Sequence, residues 1–314
     1  MTTIGRYRLF EDLSGQNAGF CQWGFCERDG HEYFIKEFLA PKYPDDSSNL
    51  SPKILERKRA ACDAFYAERK LFYDTLRGCR NGNIVIVQDF FRDGTKYYAV
   101  TDKVSKAETD PGIIADLTPD RKETFLRALT YSVACFHNAG IVHADLKPSN
   151  ILIKQTTDGF YTAKIIDFDA GYFSDRAPEE AQGDFIYYAP ETFLKMNGED
   201  VRRDEKIDIF ALGILFHQYW TGALPVIGAD YHYVHEAVLD GERPRFYGSI
   251  PSGLIALISR MLARKPEDRP TAAEILHYWN RTPETSVSAG RVPVSGPAKA
   301  APGAIMFSTP GDLD

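Results

Sequence analysis

The sequence predicts an α+β chain, with strands and one main helix as far as Lys103 and mostly helices beyond. Three observations carry this expectation. Two runs, residues 20–27 and 33–38, flank Arg28-Asp29-Gly30-His31, whose Asp-Gly pair marks a β-hairpin turn. Over residues 53–77 the apolar positions recur at helical spacing. Further helical stretches follow at 207–215, 254–262 and 272–279.

In chain order, residues 7–10 are the first expected strand, and with 20–27 and 33–38 they make a three-stranded antiparallel meander. Residues 39–52 are rich in Pro, Asp and Ser and read as a loop. The helix at 53–77 takes Ile54, Ala61, Phe65, Leu71, Phe72 and Leu76 as its apolar face. Strands are expected at 84–89 and 97–104. Residues 116–139 predict a short helix and a long one, the second opening at Arg121-Lys122-Glu123. Residues 171–191 are short, polar and acidic. From Arg281 the composition shifts to Pro, Gly, Ser, Thr and Ala, too poor in large apolar residues to bury a core. The reading is one folded domain over 1–281 and a disordered tail over 282–314, without internal repeats.

Bulk properties exclude several classes. The 314 residues are 44% hydrophobic and 26% charged, which suits one or two globular domains. A net charge of −7 gives no basic footprint for nucleic acid. No run approaches 18 apolar residues, so no membrane segment is expected, and residues 1–10 hold no apolar signal core. Five cysteines, an odd count without metal-type clustering, fit reduced thiols and a cytoplasmic protein.

The chemistry concentrates in Ile141-Val142-His143-Ala144-Asp145-Leu146-Lys147-Pro148-Ser149-Asn150-Ile151-Leu152-Ile153, a polar loop between two apolar runs. Asp145, Lys147 and Asn150 fall within six positions, so an acid, a base and an amide can act on one reacting centre. Downstream, Lys164-Ile165-Ile166-Asp167-Phe168-Asp169-Ala170-Gly171 is an apolar strand ending in an acid. These residues resemble the eukaryotic-type (Hanks-type) serine/threonine protein kinases, whose catalytic loop is H-R-D-L-x-x-x-N and whose metal-binding turn is D-F-G. The resemblance covers about residues 7 to 280.

It implies a bilobal fold, with a small antiparallel sheet lobe and one main helix over 1–103 and a larger, mainly helical lobe over 104–281. It implies ATP and Mg2+ as cofactors and a protein substrate as partner. By the resemblance Asp145 accepts the proton of the attacking hydroxyl, Lys147 steadies the γ-phosphate, and Asn150 and Asp167 hold magnesium. Lys36 is the phosphate-binding lysine of a V-A-I-K-like strand. Glu56 and Glu68 are candidates for its helix partner, and the distance to the next strand favours Glu68. Thr101 is the gatekeeper, the backbone of Asp102 and Val104 faces the adenine edge, and Cys21 and Leu152 belong to the nucleotide pocket. Ala189-Pro190-Glu191 closes an activation segment, Asp208 holds the catalytic loop, and Arg269 pairs with Glu191.

Several positions depart from the family pattern. Against G-x-G-x-x-G-x-V the chain has Ser14-Gly15-Gln16-Asn17-Ala18-Gly19-Phe20-Cys21, so only Gly19 stays in register, with Gly15 able to substitute by a shift. Phe34 stands where the family has a small alanine over the adenine; the expectation is that its ring stacks on the base. Ala144 replaces the arginine that reads an activation-segment phosphate, Asp169 replaces the glycine of D-F-G, and Asp184 replaces a threonine that usually contacts the catalytic acid. The leading reading is an ATP-dependent Ser/Thr protein kinase, active without activation-segment phosphorylation; Lys147-Pro148 after Asp145-Leu146 favours Ser/Thr over Tyr. The alternatives are a pseudokinase acting as a scaffold and a small-molecule phosphotransferase of the aminoglycoside-kinase type.

Overall fold

The computed structural model describes residues 2–15, 21–45 and 49–281. Gly19 and the tail at 282–314 lie outside the described residues.

The small lobe is a six-stranded sheet. Its strands are β1 (Thr3–Ile4), β2 (Tyr7–Leu9), β3 (Cys21–Arg28), β4 (His31–Phe38), β5 (Val87–Asp93) and β6 (Lys96–Asp102), in the spatial order β1-β2-β3-β4-β6-β5. Asp29 and Gly30 adopt φ of 54° and 78°, the paired left-handed residues of a tight hairpin, and so fix the β3–β4 register at Arg28↔His31. Every later pair follows, including Phe25↔Phe34 and Trp23↔Lys36. The meander is as expected, with β1 added at its edge. The strand expected at 84–89 begins later, at Val87; Ile84 instead makes a parallel bridge to Ile165.

Alternation divides the sheet into two faces. Ile35, Cys26, Tyr98 and Val100 pack with Ile4, Tyr7 and Leu9 into a small core on one face. Buried Glu37 lies on this side too, satisfied by Lys96 Nζ at 2.6 Å and the Tyr98 hydroxyl at 2.9 Å. The other face carries Cys21, Trp23, Phe25, Phe34 and Lys36 toward the cleft.

Helix α1 (Pro52–Gly78) follows the loop, one residue longer at each end than its pattern indicates. Its inward stripe differs from the expected one. Cys62, Phe72, Tyr73 and Leu76 are buried, whereas Ala61, Ile54 and Leu71 are exposed, the last two by 49% and 51%. The stripe therefore runs through Leu55, Arg59, Cys62, Phe65, Arg69 and Tyr73, at spacings of three and four.

The large lobe contains α2 (Gly112–Ala115), α3 (Pro119–Asn138), α4 (Pro190–Met196), α5 (Lys206–Thr221), α6 (Val234–Leu239), α7 (Ser252–Met261) and α8 (Ala272–Arg281). The short helix falls before Asp116 and α3 opens at Pro119 rather than Arg121, because proline suits the first helical turn. Between α3 and α4 lie two small antiparallel pairs, β7 (Ile141–Val142) with β10 (Tyr172–Phe173) and β8 (Ile151–Gln155) with β9 (Tyr161–Ile165). Helix α5, almost wholly buried, is the centre of this lobe. One continuous core joins α1 and the sheet to α3, α5 and α7. Among the described residues no helix is long and apolar enough to cross a membrane.

Candidate active site

A cavity of about 290 Å³ lies between the sheet and the β8–β9 ribbon. Phe25, Phe34, Lys36, Ala99 and Thr101 line it from the sheet, Leu152, Ile166 and Asp167 from below, and the hinge residues Asp102 and Val104 at its edge. Its size and mostly apolar lining suit a planar heterocycle. Phe34 does not fill it. The ring stacks on Trp23 (centroids 5.7 Å, 27° between planes) and meets Phe25 edge-on at 5.8 Å, which holds it against the sheet as one wall. Lys103 Nζ sits 4.8 Å from the Phe25 ring and is paired with Glu32 at 2.9 Å. Gly15 adjoins the Ser14–Trp23 bridge above the cavity, exposed, with open space where a side chain would stand.

Directly beneath lies the catalytic loop between β7 and β8. Asp145 Oδ2 receives Lys147 Nζ at 2.9 Å and Asn150 Nδ2 at 2.9 Å; the same amide also donates to the Asp145 carbonyl at 2.8 Å. Asp145 Oδ1 is buried and has no hydrogen-bond partner in the protein. The loop is held from α5, whose buried Asp208 accepts the backbone N–H of His143 (2.8 Å) and of Ala144 (2.9 Å) and lies 3.0 Å from His137 Nε2. Ala144 needs this grip, because its φ of 66° is left-handed, a conformation an alanine rarely adopts unaided.

The turn after β9 supplies the remaining acids. Ile166 N–H donates to the Asn150 carbonyl at 3.0 Å, which sets Asp167 beside Asn150. Phe168 packs on His143 (4.5 Å) and Phe136 (5.4 Å) and so pins the turn to the large-lobe core. Lys36 Nζ reaches down to Asp167 Oδ1 at 2.6 Å and Asp169 Oδ2 at 2.9 Å. Burial pulls the Lys36 ammonium down, but the Asp169 and Asp167 carboxylates outweigh it and hold it above the ordinary lysine value. Two acids share that one ammonium, so burial and the Asp167 charge push the Asp169 carboxyl up in turn. The Cys21 thiol, 3.6 Å from Asp169 Oδ2, is pushed up to about 12 by burial and by that carboxylate, so it stays protonated and donates.

A family profile described as "Protein kinase domain" matches residues 48–279. The chain belongs to the protein kinase family. Similar proteins include the serine/threonine-protein kinase PkaA of Streptomyces coelicolor, 29% identical over 286 residues, which are 88% of this chain and 50% of that protein. CBL-interacting serine/threonine-protein kinase 19 of Arabidopsis thaliana is 26% identical over 255 residues, 79% of this chain and 50% of that one. Sperm motility kinase Z of Mus musculus is 30% identical over 175 residues, 55% of this chain and 33% of that one. The chain spans half or less of the length of these relatives. The matches place it with the eukaryotic-type serine/threonine kinases, and its small sheet lobe and helical lobe are their bilobal α+β fold.

Within the kinase frame most expected site residues converge on the cavity and the loop beneath it. Glu68 does not: it is exposed on α1, and Lys36 pairs with Asp167 and Asp169 instead. The reason is the phase of the helix, which turns Arg69 inward and leaves Glu68 about 100° away. Glu56 is exposed as well. Asp184 also differs from expectation. Its carboxylate accepts Ile186 N–H at 3.0 Å and caps a short 3-10 turn (Phe185–Tyr187), and no bond links it to Asp145 or Lys147. Gly183 beside it has φ 125°, and a Cβ there would stand 2.8 Å from the Ala144 carbonyl, so glycine lets the activation segment press on the catalytic loop. The expected Glu191–Arg269 pair forms, bidentate and buried, at 2.6 and 2.8 Å. Sequence reasoning missed Trp23 and Phe25 as partners of Phe34 and Tyr73 as lining. The hairpin register at Asp29-Gly30 could have found the first two.

Asn150 and Asp167 fit a hard divalent cation. With Asn150 Nδ2 donating to Asp145, its carbonyl oxygen is the atom left for a metal, and Asp167 adds a carboxylate oxygen. Magnesium typically takes one or two such protein oxygens and completes its shell with water and phosphates.

Proposed function

We propose that this kinase domain transfers the γ-phosphate of ATP to serine or threonine hydroxyls of protein substrates. The observation that carries the reading is the Asp145–Lys147–Asn150 cluster directly below a cavity lined by Lys36 from the sheet and by Asp167 from below. The Asp145 carboxylate, whose exposed oxygen is Oδ2 beside Lys147, is placed to accept the proton of the substrate hydroxyl as its oxygen bonds to the γ-phosphorus and the bond to the β-phosphate bridge breaks. Lys147 stabilises charge on the transferred group, and Lys36 orients the phosphates of the departing ADP. Magnesium, held by Asn150 and Asp167, would neutralise the phosphate oxygens. Incubation with Mg·ATP and mass spectrometry of phosphate incorporation, beside Asp167→Ala, tests the reading; equal incorporation by both proteins would overturn it. The Asp208 grip on the catalytic loop and the separate Glu191–Arg269 pair disfavour an aminoglycoside-type transferase, and the open cavity disfavours a scaffold without nucleotide.

Activity without activation-segment phosphorylation is part of the proposal. Ala144 offers no guanidinium for a phosphate. The segment is already tied down by β10–β7 pairing, by Ser174 N–H to the Gly140 carbonyl at 2.8 Å, and by the buried Arg203 guanidinium on the Pro178 and Glu180 carbonyls. Replacing Ser174 with alanine is expected to change the rate by less than tenfold, about 1.4 kcal/mol in barrier. A larger fall in a phosphotransfer assay would contradict the idea.

Phe34 is proposed as one wall of the adenine site, stacked between the base and Trp23. Phe34→Ala is expected to weaken Mg·ATP binding by about 0.5–1.5 kcal/mol, the value of one aromatic pair. Calorimetric titration of both proteins decides it, since tighter binding by the variant would mean that the ring obstructs the base.

A further inference from the structure

Four charged side chains, Lys36, Asp167, Asp169 and Arg69, gather at the inner end of the cavity in an arrangement that the helix alone does not explain. Asp169, in the metal turn, lies 2.9 Å from Lys36 Nζ. Arg69, on the inward stripe of α1, donates to three main-chain carbonyls of the same turn: Gly171 at 2.8 Å, Asp169 at 2.8 Å and Phe168 at 3.2 Å. Its guanidinium also lies over the Phe72 and Tyr73 rings at 4.9 and 5.3 Å. A Cβ on Gly171 would stand 2.7 Å from Phe72 Cζ, so turn and helix are pressed together.

We propose that Asp169 is the positioning residue for Lys36, and that Arg69 holds the turn bearing Asp169, so that the phosphate-binding lysine is set from the metal turn rather than by a carboxylate on α1. The proposal rests on the kinase reading above and deepens it. Its logic is competition. Asp167 is wanted by the metal, and if it were the sole partner of Lys36 the lysine would lose its counter-ion when the metal binds. Asp169 supplies a second carboxylate, leaving two cations and two anions in balance before the metal arrives and a lysine–acid pair after it. The helix has exchanged the sign of its contribution: it offers a cation to backbone carbonyls, and the turn offers the anion to the lysine. Lys36 is then held whenever the turn is ordered.

A double-mutant cycle on ATP affinity, measured by calorimetry with and without magnesium, tests this. Asp169→Asn is expected to weaken binding about tenfold beside Lys36, and by less than twofold in a Lys36→Met background. Glu68→Gln is expected to have less than a twofold effect in either. An equal loss from Asp169→Asn in both backgrounds, or a Lys36-dependent loss from Glu68→Gln, would overturn the proposal. In the nucleotide-free protein, Asp169→Asn and Arg69→Met are each expected to speed amide exchange across residues 166–171 at least fivefold, with melting temperatures showing that the variants remain folded. Unchanged exchange in both would also overturn it. The exchange measurement needs neither turnover nor nucleotide, so failure of the kinase reading and failure of this inference give different results.

Discussion

Replacing Asp145 with asparagine is expected to lower phosphate transfer by roughly 10²–10⁴-fold, the range for loss of a positioned general base. The substitution keeps the size of the side chain and an oxygen to accept from Lys147, so the melting temperature should stay within a few degrees of the parent. It removes the ability to take up a proton. Oδ2 is the atom concerned: Oδ1 is buried, so the exposed oxygen beside Lys147 and Asn150 is the one a substrate hydroxyl can meet. Because Asn150 Nδ2 also donates to the Asp145 main-chain carbonyl, the loop geometry does not depend on the carboxylate alone. ATP affinity should therefore change little while kcat falls. Initial rates of phosphate incorporation beside nucleotide titration would test both halves, and an undiminished rate would remove Asp145 from the chemistry.

Arg269→Met should produce the largest loss of stability, about 3–5 kcal/mol, the usual cost of breaking a buried pair from one side. The side chain of Arg269 is fully buried. It donates to both oxygens of Glu191 and to the carbonyls of Ala263, Lys206 and Arg264, and it lies over the Phe210 ring at 5.0 Å. One residue thus ties α4 to the start of α5 and to the loop after α7. Methionine fills much of the volume but leaves the Glu191 carboxylate buried without a cation and takes the Arg269 donor from the Ala263 and Arg264 carbonyls, while the Lys206 carbonyl keeps its place in the α5 ladder. For a domain of this size the melting temperature should fall by on the order of 10 °C. Pairing the change with Glu191→Leu should recover part of that loss, since an apolar replacement of both partners avoids the stranded charge. A melting temperature within 2 °C of the parent for Arg269→Met, read by scanning calorimetry, would show that the pair is not structural.

The parts legible from sequence are those determined by neighbours along the chain. Asp145, Lys147 and Asn150 share one loop, and any backbone that closes it brings them together. Asp29-Gly30 admits one kind of turn, and that turn dictates the β3–β4 register, hence Phe34 opposite Phe25 and Lys36 opposite Trp23. The start and end of α1 were nearly readable, because Pro52 and the helical period are local signals.

The partner of Lys36 was not readable. It depends on how α1 is rotated about its axis, and a shift of one residue is 100°. The helix has apolar residues enough to suggest more than one stripe, and Ile54 and Leu71 fit the pattern while ending in solvent. Only packing of Phe72, Tyr73 and Leu76 against the sheet and the metal turn selected the phase, turning Arg69 in and Glu68 out. Likewise Asp184 became a cap, and Phe34 a wall instead of a plug, because Trp23 and Phe25 lay beside it in space. Sequence by itself determined the loop chemistry and the hairpin, where short-range geometry leaves one solution. The tertiary structure decided which carboxylates meet the lysine, since that choice rests on three elements meeting at once.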